Sequence, residues 1–146
     1  MPDALLEKLR ATVGPPNVLT GIELSPYVVE GRTPEAAVFP GSVEEVAAVI
    51  GLAAETARPV TPWGGGTAAS VGIPTARATG LVLGLRRLGR LLEHEPGDLT
   101  ATVEAGMTVA TFQTALRSRG QWMSLDPADA HLATVGGVLE IGRAHV

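Results

Sequence analysis

The stretch Val60-Thr61-Pro62-Trp63-Gly64-Gly65-Gly66-Thr67-Ala68-Ala69-Ser70-Val71-Gly72 decides how the rest of the chain is read. Val60-Thr61-Pro62 predicts a short strand, and it opens into a loop with four glycines in nine residues, 64–72. Glycines let a backbone take positive φ and bring its N–H groups close to another body. Several such groups beside the Thr67 hydroxyl have the chemistry of a phosphate cradle. A P-loop needs Gly-Lys-Ser/Thr, and Lys8 is the only lysine in the chain. A Rossmann turn is matched formally by Gly64, Gly66 and Ala69. Its context fails, because Gly72 and Pro74 would break the helix that must follow and the first acidic residue afterwards is Glu93. A purely structural turn with several positive φ angles remains open beside an anion-binding loop of another kind.

On the N-terminal side, Ser42-Val43-Glu44-Glu45 reads as a capping box. Val43, Val46, Ile50, Ala53, Ala54 and Ala57 then repeat at helical spacing, predicting a helix over about 43–57. Ala37-Val38-Phe39 before it predicts a buried strand ending at Pro40. Residues 3–13 predict a helix with Leu5, Leu6 and Leu9 on one stripe, stopped by Gly14-Pro15-Pro16, and residues 17–36 read as loop with turns.

On the C-terminal side, strands are predicted at Leu81–Leu85 and Leu91–Glu95, with a turn at Pro96-Gly97-Asp98. From Leu99 to Glu104, Leu99, Ala101 and Val103 alternate with polar residues, the period of a half-buried strand. Thr108 caps a helix carrying Val109, Phe112, Ala115 and Leu116, which Gly120 ends. A second glycine site follows at Ala133-Thr134-Val135-Gly136-Gly137; it could line a pyrophosphate or be a tight turn. The order is α+β rather than a regular βαβ alternation.

Composition bounds the function. Of 146 residues, 45% are hydrophobic, enough for a sizeable core in one ordinary domain. With 11 basic against 15 acidic residues and a net charge of −4, affinity from neutralising nucleic-acid phosphates is not expected. The absence of cysteine excludes disulfides, Cys-ligated metals, a Cys nucleophile and a cysteinyl cofactor link in this chain, and fits a reducing compartment. No apolar run approaches the length of a membrane span, and MPDALLEKLR is not a secretory signal, so a cytoplasmic protein that is not integral to a membrane is expected.

Four ordered blocks now carry a resemblance. They are Pro40-Gly41-Ser42-Val43-Glu44-Glu45-Val46, then Pro62–Thr67, then Glu95–Thr108, and last Gly120–Pro127 followed by Ala133–Gly137. The chain resembles the FAD-binding domain of PCMH-type, vanillyl-alcohol-oxidase-like flavoproteins over roughly residues 35–139, and is most similar to the FAD-binding subunit of glycolate oxidases. The resemblance implies the N-terminal part of such a domain, a small βαβ subdomain followed by the start of a second, mixed or antiparallel sheet subdomain. It divides the chain into an N-terminal helix and lead-in loop (1–34), a truncated FAD-binding domain (35–140) and a tail (141–146). Ile141-Gly142-Arg143-Ala144-His145-Val146 corresponds to the translation of a common sequencing adapter, so a non-native tail on a truncated gene is expected. Ser124 stands where the family usually has proline.

The cofactor so implied is FAD, with its pyrophosphate and neighbouring groups held by Gly64, Gly65, Gly66, Thr67 and Gly72, then Asp126, Pro127, Thr134, Gly136 and Gly137. The activity implied is flavin-dependent oxidation of a small 2-hydroxy acid such as glycolate, in a complex with a second flavin subunit and an iron–sulfur subunit. The alternative is a truncated fragment or assembly module that holds no flavin productively. No catalytic residue is nominated, because the flavin carries the redox chemistry, and no metal is expected. Glu93 and Glu95 alternate to the face opposite His94, which reads as a solvated edge rather than a metal site. His131 reads as a loop histidine, with a histidyl–flavin bond as the rival reading. Trp63 and Trp122 read as packing residues.

Overall fold

The structure is a computed structural model describing residues 3–28, 31–69 and 80–142. It divides into two compact units, the first Met1–Trp63 with Ala69–Arg87, the second Gly64–Ala68 with Leu88–Val146.

The first unit starts with α1 (Asp3–Val13), whose Leu5, Leu9 and Val13 are buried one turn apart. Gly14 ends it at φ 85°, donating its N–H to Arg10 O at 2.9 Å. Two 3-10 turns, Pro15–Asn17 and Gly21–Tyr27, flank the short strand β1 (Val18–Leu19), then come β2 (Ala36–Val38), α2 (Val43–Glu55), β3 (Val60–Trp63) and β4 (Leu81–Gly84). The sheet order is β1-β2-β4-β3, with β1 antiparallel to β2 and the other pairs parallel. Strands that run parallel need a crossover connection, and α2 provides the one from β2 to β3, which flank β4 on either side.

Pleating explains why β2 and β4 are apolar at every position. Ala36, Val38, Leu81 and Leu83 pack on Leu5, Leu9, Val49 and Ala53 from the two helices. The intervening Ala37, Phe39 and Val82 face the other way, against Leu24 and the partly buried Tyr27 and Trp63. Gly84 is required there, because a Cβ would lie 2.2 Å from the Phe39 ring. Trp63 packs edge-on against Tyr27 with centroids 5.4 Å apart, as a packing residue should.

The α2 stripe differs from the expected one. Val49 and Ala53 are buried, whereas Val43 is 72% and Ile50 47% exposed. Alanine at many positions leaves the apolar periodicity ambiguous, and contact with α1 and the sheet selects the face through Val46, Val49, Leu52 and Ala53. The helix stops at Glu55, not 57: Ala57 turns to φ 51° and Arg58 N–H reaches back to Ala53 O at 2.8 Å. That is a Schellman closure built on an alanine. The capping box is present, with Ser42 Oγ accepting from Glu45 N–H at 3.2 Å. Its return arm reaches one residue further back, the Glu45 carboxylate accepting from Gly41 N–H at 2.7 Å.

The second unit holds an antiparallel pair, β5 (Leu91–Glu95) and β6 (Thr100–Val103), and the helices α3 (Val109–Arg117) and α4 (Val135–Glu140). Met107, Phe112 and Leu116 form one small core, and Val109, Ala133 and Val138 another. Leu99, expected to point inward from a strand, instead sits in the hairpin turn at φ 58° and is 80% exposed. The four-residue turn takes Leu99 out of the ladder, and Ala101 is exposed as well. Trp122 is not a packing residue here; it is 72% exposed. Gly136 and Gly137 form the first turn of α4 rather than a tight turn. The mixed α+β class and the βαβ-then-antiparallel order match the expected architecture.

Candidate functional site

The two glycine sites meet within the second unit. A Cβ on Gly64 would fall 2.2 Å from Thr134 Oγ1, and one on Gly65 1.8 Å from the Leu132 carbonyl oxygen. Both distances are far inside van der Waals contact, so residues 64 and 65 must lack a side chain for the loop to lie against 132–134. Gly66 has φ 73°, the left-handed region. Each of the three glycines thus has its own physical requirement. Gly136 has a fourth, since its Cβ would meet Ala105 Cβ and O at 2.9 Å, and at Gly137 the Thr134 hydroxyl oxygen would be 3.1 Å away.

Which of these backbones can still bind an anion follows from where their N–H groups go. At the start of α3, Val109 N–H donates to Ala133 O and Ala110 N–H to Ala130 O, both at 2.9 Å, while Thr111 N–H is capped by Thr108 Oγ1 at 3.2 Å. At the start of α4, Val135 N–H donates to Met107 O at 2.8 Å, Gly136 N–H to Ala105 O at 2.9 Å and Gly137 N–H to Thr134 Oγ1 at 3.2 Å. Both helix N-termini are therefore closed by the protein itself. In contrast, the N–H groups of Gly64, Gly65, Gly66 and Thr67 make no hydrogen bond to any described residue. Among the described residues, the unbonded backbone N–H groups thus lie in the first glycine loop, whereas those of Gly136 and Gly137 are bonded within the protein.

Thr134 joins the two. It is 5% exposed, caps α4, and lies directly beneath Gly64. Its hydroxyl oxygen accepts the Gly137 bond, and its proton has no acceptor among the described residues. Of the other expected residues, Pro127 is buried and Asp126 exposed on the segment leading to Thr134, Thr67 is exposed, and Gly72 lies outside the described residues, as do Arg143 to Val146 of the tail.

The Ala105 carbonyl that holds Gly136 follows a clasped hairpin base. Arg90 donates from Nε and Nη2 to Glu104 Oε1 at 3.0 and 2.7 Å and from its backbone N–H to Oε2 at 2.7 Å. The side-chain bond from Arg90, with its backbone N–H, holds the Glu104 carboxyl below the usual carboxylate range, and the same bond raises Arg90.

His94 is not a solvated edge. Its Nε2 lies 2.8 Å from Gln121 Oε1, while Gln121 Nε2 donates to Pro96 O at 2.7 Å. The bond to Pro96 fixes the amide orientation, so Gln121 Oε1 can only accept and His94 Nε2 carries the proton. Periodicity could not find this contact, because Gln121 lies in irregular chain. His131 is an exposed loop residue. Among the described residues no group of three or more His, Asp or Glu side chains gathers, and no helix is long and apolar enough to cross a membrane.

The FAD binding domain family matches residues 34–143. D-2-hydroxyglutarate dehydrogenase of Xanthomonas citri pv. viticola is 40% identical over 104 residues, covering 71% of this chain and 22% of that protein. Glycolate oxidase subunit GlcD of Bacillus subtilis is 30% identical over 104 residues, again 71% of this chain and 22% of that one. The chain thus spans about a fifth of the length of these relatives. Among solved structures, p-cresol methylhydroxylase with substrate bound superposes with a TM-score of 0.79 at 24% identity, covering 94% of this chain and 28% of that one, a likeness of fold. The matched family spans well over half of the chain and includes both glycine sites, so the chain belongs to the FAD binding domain family, whose cofactor is FAD.

Proposed function

We propose that this chain is the pyrophosphate-holding part of a flavin-dependent oxidoreductase whose substrate is a small 2-hydroxy acid such as glycolate. The observation that carries the reading is the division of labour among backbone amides: those at the starts of α3 and α4 are used inside the protein, those of Gly64 to Thr67 are not. Those four N–H groups and the Thr67 hydroxyl hold the FAD pyrophosphate, and Thr134 supplies a buried hydroxyl beneath them. Gly136 and Gly137 allow close approach, and Asp126 and Pro127 belong to the segment that brings Thr134 into place. Gly72 stays in the proposal on the resemblance alone. When bound, FAD supplies the two-electron redox chemistry, and this chain's residues contribute placement and exclusion of water.

The named relatives act on D-2-hydroxyglutarate and glycolate, both 2-hydroxy acids, which supports that substrate class. A complex with a second flavin subunit and an iron–sulfur subunit, and a cytoplasmic site of action, complete the proposal. The proposed division remains a lead-in (1–34), the flavin domain (35–140) and a non-native tail (141–146).

The test is FAD titration of the chain and of Thr67→Val, followed by quenching of flavin fluorescence. Thr67 is exposed, so the substitution leaves folding intact. Loss of a hydroxyl bonded to a charged phosphate weakens FAD binding about tenfold or more. Unchanged affinity would remove Thr67 from the site, and no binding by the unsubstituted chain would sink the reading.

A further inference from the structure

We infer that Gln113 is a positioning residue for the cofactor-bearing segment 126–134, an inference that rests on the FAD reading above. Gln113 lies in the second turn of α3 from its cap and is half-buried. Its amide grips the backbone of one residue through both of its polar groups: Nε2 donates to Met123 O, and Oε1 accepts from Met123 N–H at 3.0 Å. A primary amide is the side-chain group that offers a donor and an acceptor side by side, so it reproduces the pairing of a neighbouring β-strand.

That grip is one of three attachments of the same loop to the same helix. Ala130 O and Ala133 O accept from the first two amides of α3, Ala110 and Val109. Gln113 therefore holds the entry of the loop at Met123 while the helix N-terminus holds its exit at 130–133. Between these points lie Asp126 and Pro127, and immediately after them comes Thr134, which touches Gly64. The segment has no regular secondary structure of its own between Gln121 and Pro127. Its path is set by these attachments and by the partly buried Met123, Leu125 and Ala130, which pack on Val109, Ala133 and Val138. A side-chain clamp on one flank thus fixes the register in which Leu132 and Thr134 reach the glycine loop.

The experiment uses the full chain with Gln113→Met, which keeps the side chain's length and removes both hydrogen-bonding groups, and Gln113→Glu, which keeps the acceptor and removes the donor. Amide hydrogen exchange is followed at Met123, at Leu132 and Ala133, whose N–H groups bond Asp129 O at 2.8 and 2.7 Å, and at Val46 of α2 as the internal control. Removing two bonds to the partly buried Met123 backbone should speed exchange about tenfold at Leu132 and Ala133 as well as at Met123 in Gln113→Met, with Gln113→Glu intermediate and Val46 unchanged. Acceleration confined to Met123 overturns the inference, as does equal acceleration at Val46, which reports only a loss of global stability. FAD titration of the same proteins is read separately. An unsubstituted chain that binds no FAD sinks the cofactor reading and leaves the exchange result standing on the positioning of the segment.

Discussion

Gly65→Ala should damage the second unit whether or not FAD is present. The new Cβ would lie 1.8 Å from Leu132 O and 2.4 Å from Leu132 C, with Ala133 N at 3.2 Å. Bringing the first contact to 3.0 Å requires one segment to retreat by roughly 1.2 Å, and all the atoms in the way are backbone, so no rotamer relieves it. The segment that must give is held by Leu132 N–H and Ala133 N–H on Asp129 O, and by Ala133 O on Val109 N–H. Overpacking of this size costs about 1–3 kcal/mol, and loss of one of these bonds adds about 1 kcal/mol, so a loss of about 2–4 kcal/mol is expected. Urea unfolding of the full chain, followed by circular dichroism, measures it against Gly97→Ala, where nothing lies within 4 Å of the added Cβ. The control should stay within about 0.5 kcal/mol of the unsubstituted chain. Equal stability of the two variants would refute the packing of the glycine loop on 132–134. Lost FAD binding in Gly65→Ala would not by itself prove contact between that amide and a phosphate, because displacement of the Thr134 segment is enough to cause it.

Three further outcomes are expected. Ser42→Ala should cost about 1 kcal/mol in urea unfolding, since Glu45 N–H loses its cap, with FAD affinity unmoved; a large affinity loss at unchanged stability would place Ser42 in the site. Ala57→Gly should stabilise by about 0.5–1 kcal/mol, because the helix closure holds a residue with a Cβ at φ 51°; a destabilised variant would contradict that backbone. The lowered Glu104 pKa contributes stability above the ordinary carboxylate range, and this is lost as pH falls through the lowered value, so thermal midpoints should drop on acidification less steeply in Glu104→Gln; identical slopes would mean the Arg90 clasp is absent in solution.

Much was legible from local signals. The capping box of α2, the Thr108 cap of α3 and the glycine loop after β3 each involve residues within four positions of one another, and the order of elements follows from them. The two glycine-rich segments were visible as possible anion sites, and the resemblance supplied FAD. What residue spacing could not state was how those segments differ, because the partners of their N–H groups are far away in sequence.

By itself, then, the sequence determined the α+β class, the positions of most strands and helices, and the residue types able to surround a phosphate, because periodicity, caps and glycines act through the nearest few residues. Only the tertiary structure decided which face of α2 is buried, since an alanine-rich helix presents more than one apolar face and its neighbours make the choice. It also placed Leu99 in a turn, joined His94 to Gln121 and Gln113 to Met123, and brought Gly64 and Gly65 against Leu132 and Thr134. Each of these depends on backbone positions that separate parts of the chain must reach together. The physical reason is steric and electrostatic: a Cβ is excluded, and an N–H is used or left unused, by atoms that no local spacing can identify.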